Sequence, residues 1–82
     1  MEKLKLGTVV YLDGIRWHQG MIGGYTKDDF GYDAYLLSSC VIDGELKLND
    51  QGDDDDFIYP AEICSEASAE DTQKYFNKLM NK

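Results

Sequence analysis

The sequence predicts one α+β domain over residues 1–82, a small, strongly curved antiparallel or barrel-like sheet of four or five strands with a C-terminal α-helix packed on it. Short runs rich in β-branched and aromatic residues alternate with glycine and turn signals over about residues 4–66. A capped, amphipathic stretch follows at about residues 69–80. Eighty-two residues suffice for one thin core but leave no room for a deep cleft between two domains.

The first half of the chain predicts three strands. Residues 4–12 favour a first strand, and the turn dipeptide Asp13-Gly14 sends residues 15–22 back beside it. The two adjacent glycines that follow predict a bulge, which curls a small sheet. After a polar connection at residues 27–31, residues 32–41 are apolar on both faces, so we expect this third strand at the centre of the sheet.

The next part of the chain is strongly acidic. Residues 43–56 hold seven carboxylates and one lysine, so they carry −6 of the net charge of −8. Such a block repels itself, and we expect an acidic, mobile loop with a short hairpin arm at residues 45–48. Residues 57–59 then form a short strand that Pro60 ends, and after a tight turn Cys64 begins a last edge strand.

A helix is predicted to end the domain. Ser68 is a hydroxyl cap, followed three positions later by the carboxylate of Asp71. Glu70 and Lys74 have the spacing of an i,i+4 ion pair. The positions expected to face the sheet recur every three or four residues, namely Ala69, Thr72, Phe76 and Leu79, with Tyr75 and Met80 flanking them.

Composition narrows the classes of function. The chain has 16 acidic and 8 basic residues and a pI near 4.3, which disfavours direct binding to nucleic acid or to an anionic membrane surface. It contains no stretch of about 20 apolar residues and no signal-peptide region at its start, so we expect a cytoplasmic protein.

The chain has no recognisable catalytic or metal-binding pattern. His18 is the single histidine, and no nucleophile or orienting carboxylate accompanies it in the sequence. Cys40 and Cys64 lie away from any metal-ligand spacing, and we expect both to be reduced, with a disulfide as the less favoured alternative. The four consecutive aspartates do not follow the ligand order of an EF-hand. We therefore expect no enzyme activity, no cofactor and no dedicated metal site.

Aromatic and acidic residues instead indicate a protein-binding role. Trp17 lies between Arg16 and His18 and is predicted to be an interface anchor, with a strand tryptophan that shields the core as the equal alternative. Tyr25 and Tyr59 are further candidates, because tyrosine offers an apolar face with a polar tip. The acidic residues expected to steer a basic partner, unless they form only a solvated loop, are Asp53, Asp54, Asp55 and Asp56.

Five sequence blocks occur in a fixed order along the chain: Leu6-Gly7-Thr8-Val9-Val10-Tyr11-Leu12, Met21-Ile22-Gly23-Gly24, Tyr32-Asp33-Ala34-Tyr35, Glu62-Ile63 and Phe76-Asn77-Lys78-Leu79. Over nearly its whole length the chain thus resembles the family labelled domain of unknown function 4176. The resemblance implies a small acidic protein encoded beside LXG toxins at type VII secretion loci of Gram-positive bacteria, thought to act as an accessory or chaperone. Where the family tends to have Tyr-Pro-x-Gly, this chain has Ser38-Ser39-Cys40-Val41.

Two functional hypotheses follow. The first is a non-enzymatic accessory or chaperone protein that binds a secreted toxin with a basic surface. The alternative is an acidic immunity protein or inhibitor that blocks a basic active site by presenting carboxylates in place of phosphates. The sequence leaves the partner's identity and the oligomeric state open.

Overall fold

A computed structural model of the protein describes residues 3–50 and 55–81, which form one antiparallel sheet with a single α-helix. The described strands are β1 (Val9–Leu12), β2 (Ile15–Lys27), β3 (Asp33–Ile42), β4 (Glu45–Leu48), β5 (Ile58–Pro60) and β6 (Cys64–Glu66), and the helix is α1 (Ala69–Met80). The strands run in the order β4-β3-β2-β1-β6, and β5 joins β4 along the second edge of β3. The predicted α+β class is confirmed, but the sheet does not close into a barrel, and its strands number six because both β4 and β5 pair with β3.

The predicted central strand is confirmed. β3 pairs with β2 on one side and with β4 and β5 on the other, and most of its residues are buried. Its partner β2 continues beyond the predicted end at residue 22, since it passes through two register shifts between Met21 and Gly24 and pairs on to Lys27. The bulge predicted at the glycine pair is therefore present, but it bends β2 without ending it.

Apolar residues are buried on both faces of the sheet. One cluster contains Val10, Ile22 and Leu37 and extends to residues around β5. At Gly20 an added Cβ would overlap the side chain of Leu37, so the absence of a side chain there lets Leu37 fill the core. The second cluster lies between the sheet and α1 and is centred on Tyr75. The helix thus covers one face of the sheet, and the residues around β5 cover the other.

The helix α1 begins and ends where it was predicted, but its buried stripe is rotated. The Ser68 hydroxyl accepts a hydrogen bond from the Asp71 backbone N–H at 3.2 Å, as expected of an N-cap. Asp71 and Tyr75 are the fully buried positions of α1. Of the predicted stripe, Phe76 and Leu79 are half-buried and pack against the second cluster, whereas Ala69 and Met80 are exposed. The two polar residues are buried because their side-chain oxygens find partners on the sheet.

The hairpin arm predicted at residues 45–48 of the acidic segment is confirmed as β4. Asp43 and Gly44, at φ values of 53° and 84°, form the turn between β3 and β4, and β4 then pairs with residues 39–42. A short 3-10 helix, Asp55–Phe57, leads into β5, and a second, Ala61–Ile63, replaces the predicted tight turn before β6. Asp53 and Asp54 lie outside the described residues.

Candidate partner-binding surfaces

Trp17 lies on a stretch of β2 where the pairing with β1 is irregular. Leu12 of β1 pairs with Ile15 and Tyr11 pairs with Gln19, so β2 advances four residues while β1 advances one. Residues 16–18 are therefore without a partner on β1, and we call them the Trp17 ridge. The Trp17 side chain is 65 % exposed, so the predicted exposure is observed and the alternative of a core-shielding tryptophan does not describe it.

The base of the Trp17 ridge is tied to α1 by a buried carboxylate. Arg16 Nε donates to Asp71 Oδ2 at 3.3 Å, and the Tyr11 hydroxyl donates to the same oxygen. The Ser68 backbone N–H donates to the Tyr11 hydroxyl at 3.2 Å, which joins the first turn of the helix to β1. Asp71 is only 6 % exposed, so this carboxylate connects β1, the ridge and α1 inside the structure.

The same contacts favour the charged forms of Asp71 and Arg16. The hydrogen bond from Tyr11, followed by the hydrogen bond and positive charge of Arg16, holds the pKa of the Asp71 carboxyl below its ordinary value although burial opposes this. The hydrogen bond to Asp71 and its negative charge likewise raise the pKa of Arg16. Both groups are therefore charged at neutral pH, and the attraction restrains the backbone beside Trp17.

The single histidine contacts a turn of the sheet. His18 Nε2 lies 3.1 Å from Asp43 Oδ1, and the ring meets the Trp17 ring edge-on with 6.4 Å between centroids. Asp43 is the hydrogen-bond partner that the structure gives His18, so the ring does have a carboxylate beside it, which the sequence did not indicate. This arrangement positions the ridge against the β3–β4 turn.

Tyr25 and Tyr59 lie elsewhere and have structural partners. Tyr25, Tyr35 and Tyr59 are in register across β2, β3 and β5, and the first two rings lie 6.1 Å apart. The Tyr25 hydroxyl donates to the Leu4 carbonyl at 2.6 Å, and the Leu4 N–H donates to the Tyr35 hydroxyl at 3.0 Å. The Tyr25 and Tyr35 hydroxyls thus bind the segment that precedes β1. Tyr59 is half-buried, and burial raises the pKa of its hydroxyl.

The three predicted aromatic residues do not form one patch. Eight positions of β2 separate Trp17 from Tyr25, a distance of roughly 25 Å along a strand. Of the predicted acidic residues, Asp56 is exposed, and Asp53, Asp54 and the side chain of Asp55 lie outside the described part of the chain. The geometry therefore favours Trp17 as the centre of a contact surface and does not place Tyr25 or Tyr59 beside it.

A second exposed aromatic surface was missed from the sequence. Residues 28–32, which we call the hairpin tip, connect β2 to β3 and were predicted only as a polar connection followed by a strand. Phe30 is 85 % exposed and Tyr32 is 71 % exposed. β3 begins at Asp33, so Tyr32 precedes the strand in which it was predicted. Two aromatic residues flanking a glycine within a polar turn, where no neighbouring strand covers them, are the signal that was available.

Neither a metal site nor a membrane-spanning helix is found among the described residues. Among them, no three His, Cys, Asp or Glu side chains are grouped so that they could hold a metal ion. Cys40 and Cys64 are free thiols, and burial raises the pKa of both, to about 11 for Cys64. No described helix has the length and apolarity required to cross a bilayer.

No protein-family model, curated protein or solved structure matches the chain. The class that the fold and its surfaces define is a small acidic α+β protein with two separate exposed aromatic sites. The resemblance to the domain of unknown function 4176 family stays a prediction.

Proposed function

We propose that this protein is a non-enzymatic binding partner of another protein, and specifically an accessory or chaperone protein for a secreted toxin of the type VII secretion system. The observation that carries the binding role is the exposure of Trp17 on a ridge whose base is restrained by Asp71. The toxin as partner is implied by the family resemblance alone.

The Trp17 ridge has the composition of an interface anchor. Tryptophan and arginine are the residues most often found at energetic hot spots, and here they are neighbours in the chain and both exposed. Because the Arg16 guanidinium is already bound to Asp71, less side-chain and backbone freedom is lost when a partner covers the ridge. The net charge of −8 would speed encounter with a basic partner surface.

Co-expression with the toxin encoded beside this gene tests the proposal. We expect the two proteins to co-purify, and Trp17→Ala to weaken the complex about thirtyfold, which corresponds to a hot-spot loss of about 2 kcal/mol. Met80→Ala is the matched control, because Met80 is 81 % exposed at the far end of α1 and its loss removes a similar apolar contact area from the surface.

The association rate should also fall as salt is raised, whereas dissociation should change little. Failure to co-purify at low and high salt would refute the toxin-accessory role. Equal affinity of the Trp17→Ala variant and the parent would refute the ridge as the contact surface.

A further inference from the structure

We infer that the hairpin tip, together with Pro60 of β5, is a second docking surface, and that it takes an extended protein segment carrying two basic residues. The inference rests on the proposed function only in that the partner is a protein. It concerns a surface that is separate from the Trp17 ridge, and its test uses a peptide in place of the toxin, so either proposal can fail alone.

The tip holds its two aromatic residues in a fixed arrangement. The Asp28 carboxylate accepts hydrogen bonds from the backbone N–H groups of Phe30 and Tyr32, both at 2.9 Å. The Asp28 backbone makes two more, donating to the Tyr32 carbonyl at 2.9 Å and accepting from the Gly31 N–H at 3.0 Å. Gly31 provides the φ of +84° that this tight loop needs. The four bonds keep the backbone of the tip closed with both rings in solvent, so little backbone conformational entropy remains to be lost on binding.

Two grooves adjoin the tip, and Pro60 lines both of them. Tyr32 lines a groove of 480 Å³ together with Glu62, and Phe30 lines a groove of 330 Å³ together with Asp29. Each groove therefore combines one highly exposed aromatic ring with one exposed carboxylate. This is the arrangement that receives a lysine or arginine, with the aliphatic stem along the ring and the charged group at the carboxylate.

The charges around the tip decide which occupant fits. Asp29 and Glu62 make no ion pair with a described residue, whereas Lys27, which lines the groove beside Phe30, is engaged with Asp33 at 3.0 Å. A second copy of this chain would bring the same carboxylates against each other, which is repulsive. A basic segment meets opposite charge in both grooves, and an extended chain places alternate side chains on one face, one for each side of Pro60.

Nuclear magnetic resonance with the whole 15N-labelled protein tests this surface. The probe is a short glycine-flanked peptide in which one valine separates two lysines, and the matched peptide carries glutamates in place of the lysines. We expect the lysine peptide to shift amide resonances of residues 28–33 and 61–62, and the glutamate peptide to leave them unchanged.

Variants then separate the contributions of the rings and the charges. The double variant Phe30→Ser with Tyr32→Ser should weaken binding tenfold or more, and Met80→Ser should leave it unchanged. Asp29→Asn with Glu62→Gln keeps the rings and the fold, and should weaken binding severalfold while removing most of its salt dependence.

The inference is overturned if the lysine peptide causes no shifts, if the shifts fall on residues 16–18 instead, or if both peptides bind equally. It is also overturned if the tip resonances shift with protein concentration alone, because the occupant would then be a second copy. None of these results depends on the toxin co-purification.

Discussion

A buried pair of hydroxyls should govern how firmly α1 is held on the sheet. The Tyr75 hydroxyl lies 2.7 Å from the Ser39 hydroxyl, and the two residues are 2 % and 1 % exposed. Tyr75→Phe removes one partner and leaves the Ser39 hydroxyl in a place that water does not reach. Ser39→Ala removes the Ser39 hydroxyl, but the Tyr75 hydroxyl also interacts with the backbone of Met21 and so keeps a partner.

The magnitudes follow from that asymmetry. Losing a hydrogen bond and leaving a buried hydroxyl unpaired costs about 1–3 kcal/mol, so we expect about 2 kcal/mol for Tyr75→Phe and about 1 kcal/mol for Ser39→Ala. In the double variant no hydroxyl is left unpaired, so its loss of stability should be smaller than the sum of the two single losses by about 1 kcal/mol or more. For a domain of this size, 1 kcal/mol corresponds to a change in Tm of about 4–8 °C.

Chemical and thermal unfolding followed by circular dichroism measure these differences. Tyr32→Phe is the matched control, since it removes a hydroxyl from a side chain that is 71 % exposed, and should alter stability by less than about 0.5 kcal/mol. Additive losses in the double variant, or a Tyr75→Phe variant as stable as Tyr32→Phe, would show that the two hydroxyls do not depend on each other.

Two predictions concern pH. Burial raises the pKa of Tyr75 to about 12 from an ordinary 10.0, so the folded state keeps a proton that the unfolded chain releases. The free energy of unfolding should therefore fall as the pH rises from 10 towards 12. Alkaline denaturation curves of Tyr75→Phe should show a shallower fall than those of the parent, and an equal fall would contradict the prediction. The lowered pKa of Asp71 makes stability depend on pH in the opposite direction. The stabilisation by the Asp71 carboxylate is present above the ordinary pKa of 3.8 and is lost as the pH falls below it. Urea unfolding of Asp71→Asn and the parent at about pH 5 and at about pH 3 should therefore show a smaller loss on acidification in the variant, whereas equal losses would mean that Asp71 is not the group that titrates.

The elements with strong local signals were predictable from the sequence. Ser68 and the spacing behind it located the start of α1 correctly, and the apolar content of both faces identified β3 as central. In each case the deciding information lies within a few neighbouring residues. β4 was likewise predicted as a short hairpin arm, and it pairs with residues 39–42 across the tight turn at Asp43 and Gly44.

The buried face of α1 was not predictable from periodicity. Asp71 is an acidic residue in the first turn of a helix, where it ordinarily faces water and favours the helix dipole. Its burial depends on Tyr11 and Arg16, which are more than fifty positions away and approach only because β1 and the ridge lie beside the helix. A contact of that kind has no local pattern, and it rotates the stripe towards Tyr75.

Only part of the candidate binding surface was predictable, because exposure also depends on contacts between distant residues. An isolated tryptophan between polar residues indicates exposure, and Trp17 is exposed. Tyr25 looked equivalent by residue type, yet its hydroxyl is occupied by the segment before β1, a contact that only the folded sheet creates. Phe30 was overlooked because a single aromatic residue among aspartates reads as part of a polar turn, while its exposure results from the hydrogen bonds of Asp28.

The acidic character of this chain has a structural use beyond solvation. Each exposed aromatic site is held in place by one carboxylate, Asp71 below the Trp17 ridge and Asp28 within the hairpin tip. Asp28 binds backbone groups of its own turn, whereas Asp71 binds Arg16 and also Tyr11, which packs against the cluster around Tyr75. Substitutions at Trp17 or Phe30 should change binding while the core stays intact, whereas neutralising Asp71 or Asp28 should disturb the shape of a site whose aromatic residues are still present.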